Sequence, residues 1–361
     1  MSTYAAVAIE ELEIPASMDA PGAAAFAEMV QVRNAIETQI MGTDVLNYSA
    51  RELLPVYLVQ EDEPNRLFVA RVDGRIVGRA ILSWQTEEGA SASWVSVEVL
   101  PEYRRRGIGT TLLEHLTAIA LASGRPTLQA EAIHTRPATG ERIDSPTGFG
   151  WVSADDPGVR FLLRHGYRLE QVARISALPL PVDPAVLAAQ RTSAQAAAGD
   201  DYRVVAWTGT TPPERVDDLV TLKTRMSTDI PSAALETTDE QWDAARLARW
   251  DGHLAGSGRE RLTVAAEHVP TGRLAGYNEL YLPADRTRPV TQEDTLVLSE
   301  HRGRRLGMLL KVANLQRLAE LSPSSTLVTT FNAEENRHML DVNEAVGFAP
   351  IGYEGCWQLT P

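Results

Sequence analysis

The chain has 361 residues, 44% hydrophobic and 23% charged, which is enough for two domains that each bury a core. A net charge of −14 excludes a generic nucleic-acid or anionic-membrane binder, so an anionic ligand must be met by a local cationic site. The single cysteine, Cys356, excludes an intrachain disulfide and a cysteine-based zinc site, and no metal is expected. The acidic start Ile9-Glu10-Glu11-Leu12-Glu13 is unlike a signal peptide, and no apolar run reaches the roughly 20 residues of a membrane helix. Cytoplasm is the expected location.

In chain order, 7–14 reads as a strand and 23–41 and 49–59 as helices. Strands at 66–72 and 75–84 flank the Asp73-Gly74 turn, a strong hairpin signal. A third strand, 94–99, leads into a helix at 107–122 whose Ile108, Leu112, Leu116 and Ile119 share a face. Strand 127–133, helix 158–165 and strand 168–178 complete the first half. Residues 181–201, with Pro181 and Pro184 and then small residues, read as an inter-domain linker with a short alanine-rich helix. The expected domains are therefore 1–182 and 202–361, joined by 183–201.

The second half repeats the order. Helices are expected at 219–226 and 241–254, and strands at 261–267 and 274–281 around Thr271-Gly272. A strand at 295–298 leads to a helix at 306–318, followed by strand 325–331, helix 336–345 and strand 353–359. One α/β unit is thus duplicated, anchored by Arg104-x-x-Gly107-x-Gly109 with Gly166-Tyr167 and by Arg302-x-x-Arg305-x-Gly307 with Gly347-Phe348. The first half carries extra residues at 134–156, rich in Pro, Gly, Thr and Ser, expected to be a substrate-facing lid or a neutral surface insertion.

A strand that runs through a glycine-bearing turn into a helix binds anions. The first backbone N–H groups of a helix have no intrahelical partner and sit at the positive end of its dipole. Gly107 and Gly109 are expected to let a phosphate approach, and Arg104, Arg105 and Arg106 to form a cationic rim. The turn is neither a dinucleotide-binding fingerprint, lacking a third glycine, nor a P-loop, lacking Gly-Lys-Ser/Thr.

The string Val97-Glu98-Val99-Leu100-Pro101-Glu102-Tyr103-Arg104-Arg105-Arg106-Gly107-Ile108-Gly109 resembles the signature of the GNAT superfamily of acetyl-CoA-dependent N-acetyltransferases. The resemblance extends over the element order of both halves, and is similar to the tandem layout of mycothiol synthase-like and clavulanic-acid-pathway acetyltransferases. It implies an α/β (α+β) fold of two tandem GNAT-like domains, each a mixed, mostly antiparallel twisted sheet flanked by helices. It also implies that Val97 and Val99 pair with the pantetheine arm of acetyl-CoA. Arg104, Arg105, Arg106, Gly107, Ile108, Gly109 and Thr110 would hold the pyrophosphate. In the second half Val297, Arg302, Gly303, Arg304, Arg305 and Gly307 match the same element, with Arg305 in place of the first motif glycine. Asn336 matches the position beside the pantetheine.

The family's catalytic pattern is broken in both halves. Leu162 and Asn343 stand where many relatives place a tyrosine acid, and Ser93 and Thr291 where relatives place an acidic base. Asn343 can hydrogen-bond a thiolate. For the base, Glu293 is the first choice and Glu279 the second, each set against the alternative of a solvated strand-end carboxylate. Glu98 falls on the opposite face of its strand from Val97 and Val99 unless a bulge intervenes. The expected activity is acetyl transfer from acetyl-CoA to a small-molecule amine in a ternary complex, with the better acceptor site in the second half. The alternatives are an acyl-CoA-binding protein without transferase activity and a peptide or protein N-acetyltransferase.

Overall fold

A computed structural model describes residues 7–135 and 140–360. The chain divides into two compact units: Met1–Ala173 with Ser232–Thr238 and Gly352–Pro361, and Arg174–Pro231 with Asp239–Ile351.

In the first unit, strand β1 (Ala8–Glu11) is followed by helices α1 (Ala23–Met41) and α2 (Ala50–Leu58). A capping box starts α2: Ser49 accepts from the Glu52 N–H and the Glu52 side chain accepts from the Ser49 N–H. Then come β2 (Asn65–Val72), β3 (Arg75–Ser83), β4 (Ala92–Val99), α3 (Ile108–Ala122) and β5 (Thr127–His134). The hairpin turn forms as expected, with Asp73 and Gly74 both at positive φ. A small ribbon of β6 (Arg142–Asp144) and β7 (Trp151–Ser153) precedes α4 (Pro157–Arg164) and β8 (Arg168–Pro179), whose first part belongs to this unit.

Strands β1 to β4 are antiparallel neighbours, and β5 runs parallel to β4. Two cores cover the two faces. Leu112, Leu116, Leu128 and Val159 pack under α3 and α4. Phe26, Met29, Ile36, Leu67 and Val69 pack under α1 and α2.

The second unit contains the rest of β8, then α5 (Pro184–Ala198), β9 (Tyr202–Thr208), α6 (Val216–Asp229), α7 (Ala244–Gly256), β10 (Glu260–His268) and β11 (Arg273–Leu282). These are followed by β12 (Val290–Val297), α8 (Leu306–Leu321), β13 (Leu327–Ala333), α9 (Arg337–Val346) and the start of β14 (Ala349–Leu359). Strands β9 to β12 are antiparallel neighbours and β12 pairs β13 in parallel.

Two expectations change. The stretch 183–201 is not a spacer. Asp183 caps α5 through the Ala185 N–H at 2.8 Å, and Leu187, Ala194 and Ala198 are buried in the core of the second unit. Small residues make that helix easy to form and let it pack closely. The first unit also ends later in sequence than expected, because Tyr353–Leu359 pair antiparallel with His134–Leu128 of β5. The 134–156 region, expected to be a lid or a neutral surface insertion, contains the β6–β7 ribbon, and Val152 anchors it in the core. Residues 136–139 of that region lie outside the described residues. Among the described residues no helix is long and apolar enough to cross a membrane.

Candidate active site

Each unit splits its sheet at the same place. Pairing between β4 and β5 covers only Ala92–Trp94 against Thr127–Gln129, and pairing between β12 and β13 only Val290 and Thr291 against Val328 and Thr329. Beyond the split, β4 keeps its partner β3 on one edge, so the backbone of Val95 to Val99 is open on the other. An open edge offers backbone donors and acceptors to an amide-bearing arm.

The strand ends in an anion turn. The first N–H groups of α3 have no side-chain cap, and its N-cap residue, Gly107, is left-handed at φ 85°. A Cβ on Gly107 would meet nothing within 4 Å, so the space in front of it is open. Gly109 differs: a Cβ there would come within 3.3 Å of Phe161 on α4 and 3.8 Å of Val99. This glycine is required for packing, in addition to any role of its backbone N–H toward a phosphate. Arg104 is not a free rim residue either. Its Nε donates to the Val99 carbonyl at 2.8 Å and closes the turn. Arg106 donates to the Glu102 carbonyl and stacks on Tyr103. The Thr110 hydroxyl lies 3.3 Å from His165 Nε2.

The second turn has the same backbone with its residues exchanged. Left-handed positions fall at Arg105 (φ 63°) and Gly107 in the first turn, and at Gly303 (φ 80°) and Arg305 (φ 56°) in the second. Arg302 repeats Arg104, donating through Nε to the Val297 carbonyl at 3.0 Å. Arg305 therefore keeps the turn despite the missing glycine, and its side chain is turned aside to Ser193 Oγ at 2.8 Å. Arg304 lies over the Tyr202 ring. Asn336, expected beside the pantetheine, caps α9 by accepting from the Met339 N–H.

The cleft of the second unit is a closed ion-pair network. A register shift between Asn278 and Leu280 marks a bulge in β12 at Glu293 and Asp294. Lys223 of α6 reaches Glu279 at 3.1 Å and Asp294 at 3.0 Å, and Tyr277 donates to Asp294 at 2.7 Å. Burial alone would lower the Lys223 pKa, but Glu279, Tyr277 and Asp294 outweigh it and hold the amine protonated. Glu279 is fully buried, with Arg261 3.5 Å away. Buried and ion-paired in this way, Glu279 is held away from solvent by Lys223 and Arg261. Glu293 is partly exposed and lies 3.7 Å from Arg259. Burial raises its pKa, against the pull of Arg259. Asn343 is buried and donates to Asn332 Oδ1 at 2.7 Å, so it is engaged within its own fold. Thr291 accepts from Arg259 at 2.9 Å.

The first unit presents the opposite arrangement. On β5, Leu128 and Ala130 face the α3 core, so alternation places Glu131 on the α1 face. Cys356 is its cross-strand partner and Glu354 lies two residues before it. The potential ligand atoms of these three side chains all lie within 4.8 Å of one another. Burial and the charges of Glu131 and Glu37 push the Glu354 pKa far up. Glu131 is exposed to solvent at the edge of this cluster, and desolvation by its surroundings pushes the carboxyl up to about 7. Nearby Glu98 is engaged: Arg79 donates to it twice, at 2.7 and 2.6 Å. Leu162, at the expected acid position, is buried in the core, and Ser93 is fully buried.

Sequence alone did not single out Glu131, Glu354 or Glu37. The available signal was a glutamate at the polar position of β5, just past the strand split; the C-terminal strand brings Glu354 beside it from more than two hundred residues away.

Residues 37–139 match the family described as Acetyltransferase (GNAT) family. No curated protein matches the sequence. The chain is similar in structure to a tandem GNAT protein from the clavulanic acid biosynthesis pathway, solved without acetyl-CoA, with TM-score 0.72, 24% identity and 98% of each chain covered. It is similar also to a GCN5-related N-acetyltransferase from Sphaerobacter thermophilus, with TM-score 0.59, 13% identity and coverage of 98% of this chain and 95% of that one. A third likeness is to an acetyltransferase described as putative from Pyrococcus horikoshii, with TM-score 0.52, 13% identity and coverage of 98% and 89%. Residues 37–139 thus match the GNAT acetyltransferase family, and the whole chain shares the fold of a tandem GNAT protein.

Proposed function

We propose that this protein transfers the acetyl group of acetyl-CoA to a small-molecule amine, and that the first unit holds the reacting pair. One observation carries the proposal: an uncapped helix N-terminus opens behind a left-handed glycine, at the end of a strand whose edge has lost its neighbour. Acetyl-CoA, when bound, supplies an activated acetyl thioester.

The chain's own residues supply placement. The α3 N–H groups and dipole meet a diphosphate, contributing roughly 0.3–1 kcal/mol per favourable charge contact. The open edge of β4 offers hydrogen bonds to the amides of the pantetheine arm. Transfer then needs one proton taken from the ammonium, so that the neutral nitrogen can attack the carbonyl carbon. The C–N bond forms, the C–S bond breaks, and the remaining excess proton passes to the departing sulfur. No side chain at Leu162 can deliver that proton, so it comes from solvent or from the amine itself.

A specific observation favours one alternative, binding without transfer: the expected tyrosine acid is replaced by a core leucine. Calorimetric titration of acetyl-CoA combined with thiol release over an amine panel separates the two. Binding with thiol release supports transfer. Binding without release across the panel supports the binding protein, and no binding removes both.

A further inference from the structure

The α1 face of the first unit carries more negative charge than it neutralises. Glu37 of α1, Glu98 of β4, Glu131 of β5 and Glu354 of β14 face one another there, against the guanidiniums of Arg33 and Arg79. Arg79 is committed to Glu98 by two hydrogen bonds and also donates to Tyr57 at 3.1 Å. Arg33 donates to the Leu46 carbonyl at 2.9 Å and stands 3.7 Å from Glu37 Oε1. That leaves Glu37 Oε2 buried without a hydrogen-bond partner, in a residue only 6% exposed. Glu37 lies on α1, which packs against β4 and β5 on this face, and its charge acts on both Glu98 and Glu354. A buried carboxylate oxygen without a donor is costly, and among the described residues no donor meets this one.

Glu131 follows Gln129, the last residue of β5 paired to β4, so the carboxylate cluster lies just past the β4–β5 split. Among the described residues Glu131 and Glu354 have no cationic partner, and Glu37 is half satisfied. One acceptor proton donor does not balance that set. We propose that the recess of Glu37, Glu131 and Glu354 is the acceptor subsite for an amine that carries a second cationic group, a diamine in the simplest case. Glu131, nearest the solvent mouth, removes the proton from the reacting nitrogen. Glu354 and Glu37 hold the second ammonium. Glu131 returns its proton to solvent after the C–N bond forms, and the departing sulfur takes the other proton lost by the ammonium. This assignment rests on the acetyl-transfer reading above.

The test uses the full chain and three probes of equal length: cadaverine, pentylamine and 5-aminovalerate. Calorimetry without acetyl-CoA tests the recess apart from the transfer reaction, so a failure of acetyl-CoA binding does not decide it. Cadaverine should bind once per chain and about tenfold or more tighter than pentylamine, with 5-aminovalerate weakest. Glu354→Gln and, independently, Glu37→Gln should each remove most of the difference between cadaverine and pentylamine; thermal unfolding identifies a variant that has lost its fold. With acetyl-CoA present, the same ranking should hold in kcat/KM. Equal binding of cadaverine and pentylamine overturns the proposal, as does an undiminished preference in both folded variants. The third contradicting outcome is tight binding of zinc chloride that Cys356→Ser abolishes and that blocks cadaverine, which would make the cluster a metal site.

Discussion

The two clefts hold similar numbers of acidic groups and use them in opposite ways. In the second unit Glu279 and Asp294 close on Lys223, and Arg261 also pairs with Asp251 at 2.7 Å. In the first unit Glu131 and Glu354 meet each other without a cation, and their pKa values rise. Buried charges are retained when they are paired, or when a ligand pairs them. The comparison teaches that abundance of polar groups near a presumed cleft is a poor guide to where chemistry occurs. The second half looks better equipped in sequence because it has more such groups; in the structure they satisfy one another.

The largest effect that would break this contrast concerns the base. Glu131→Gln should lower kcat for an amine acceptor by about 10²–10⁴-fold, while Glu293→Gln should change it by less than about threefold. In the wild type kcat/KM should rise with pH to about 7, where the Glu131 carboxyl gives up its proton. The reverse ranking of the two variants, measured by thiol release, would return catalysis to the second unit.

The next effect is on stability. Lys223→Met leaves Glu279 and Asp294 facing each other in a buried site. It should cost about 3–5 kcal/mol in denaturant unfolding, because two neighbouring carboxylates lose the cation they share and only Glu279 keeps another, Arg261. Asp294 is held below its ordinary value, against burial, chiefly by Lys223 and then by the Tyr277 hydrogen bond. The variant should therefore raise its pKa.

The fold was legible to a large degree, and the reason is local. Apolar periodicity and the Asp73-Gly74 turn depend on neighbours in sequence, and the expected helices and strands appeared close to their expected bounds, whereas β9 and the β6–β7 ribbon were not anticipated. The anion turn was legible for the same reason. What was not legible depends on distance. Glu354 meets Glu131 only because the last strand pairs with β5. The burial of Glu279 depends on Lys223 and Arg261, which arrive from other elements. The packing of Gly109 against Phe161 of α4 is likewise a contact between elements distant in sequence.

A third prediction separates the two helices behind the turns. Leu113 of α3 and Lys311 of α8 occupy matching places six residues beyond Gly107 and Arg305, and both are buried. Burial lowers the Lys311 pKa from 10.5 to about 7. The unfolded chain thus binds a proton that the folded chain releases, between about 7 and 10.5. The sign follows: stability rises with pH across that window, and the full contribution is lost as pH falls through 7. Lys311→Leu should stabilise the protein on the order of 3 kcal/mol at neutral pH and flatten the profile. Unchanged pH dependence in denaturant unfolding would show that Lys311 gains a partner in solution.

The smallest effect tests the exchange of residues between the turns. Arg105 and Arg305 hold left-handed conformations that cost a non-glycine residue about 1–2 kcal/mol. Glycine relieves that strain but adds roughly 0.5–1 kcal/mol of chain entropy to be lost on folding. Arg105→Gly and Arg305→Gly should therefore each stabilise by less than about 1 kcal/mol, whereas Gly107→Ala should destabilise by about 1 kcal/mol. Acetyl-CoA affinity should move by less than about threefold in Arg305→Gly, because the backbone N–H groups carry the contact and the guanidinium is already turned to Ser193. A tenfold loss confined to one of two calorimetric sites would show instead that the Arg305 side chain swings back to the phosphates, and that the second turn replaces a glycine's openness with an added charge.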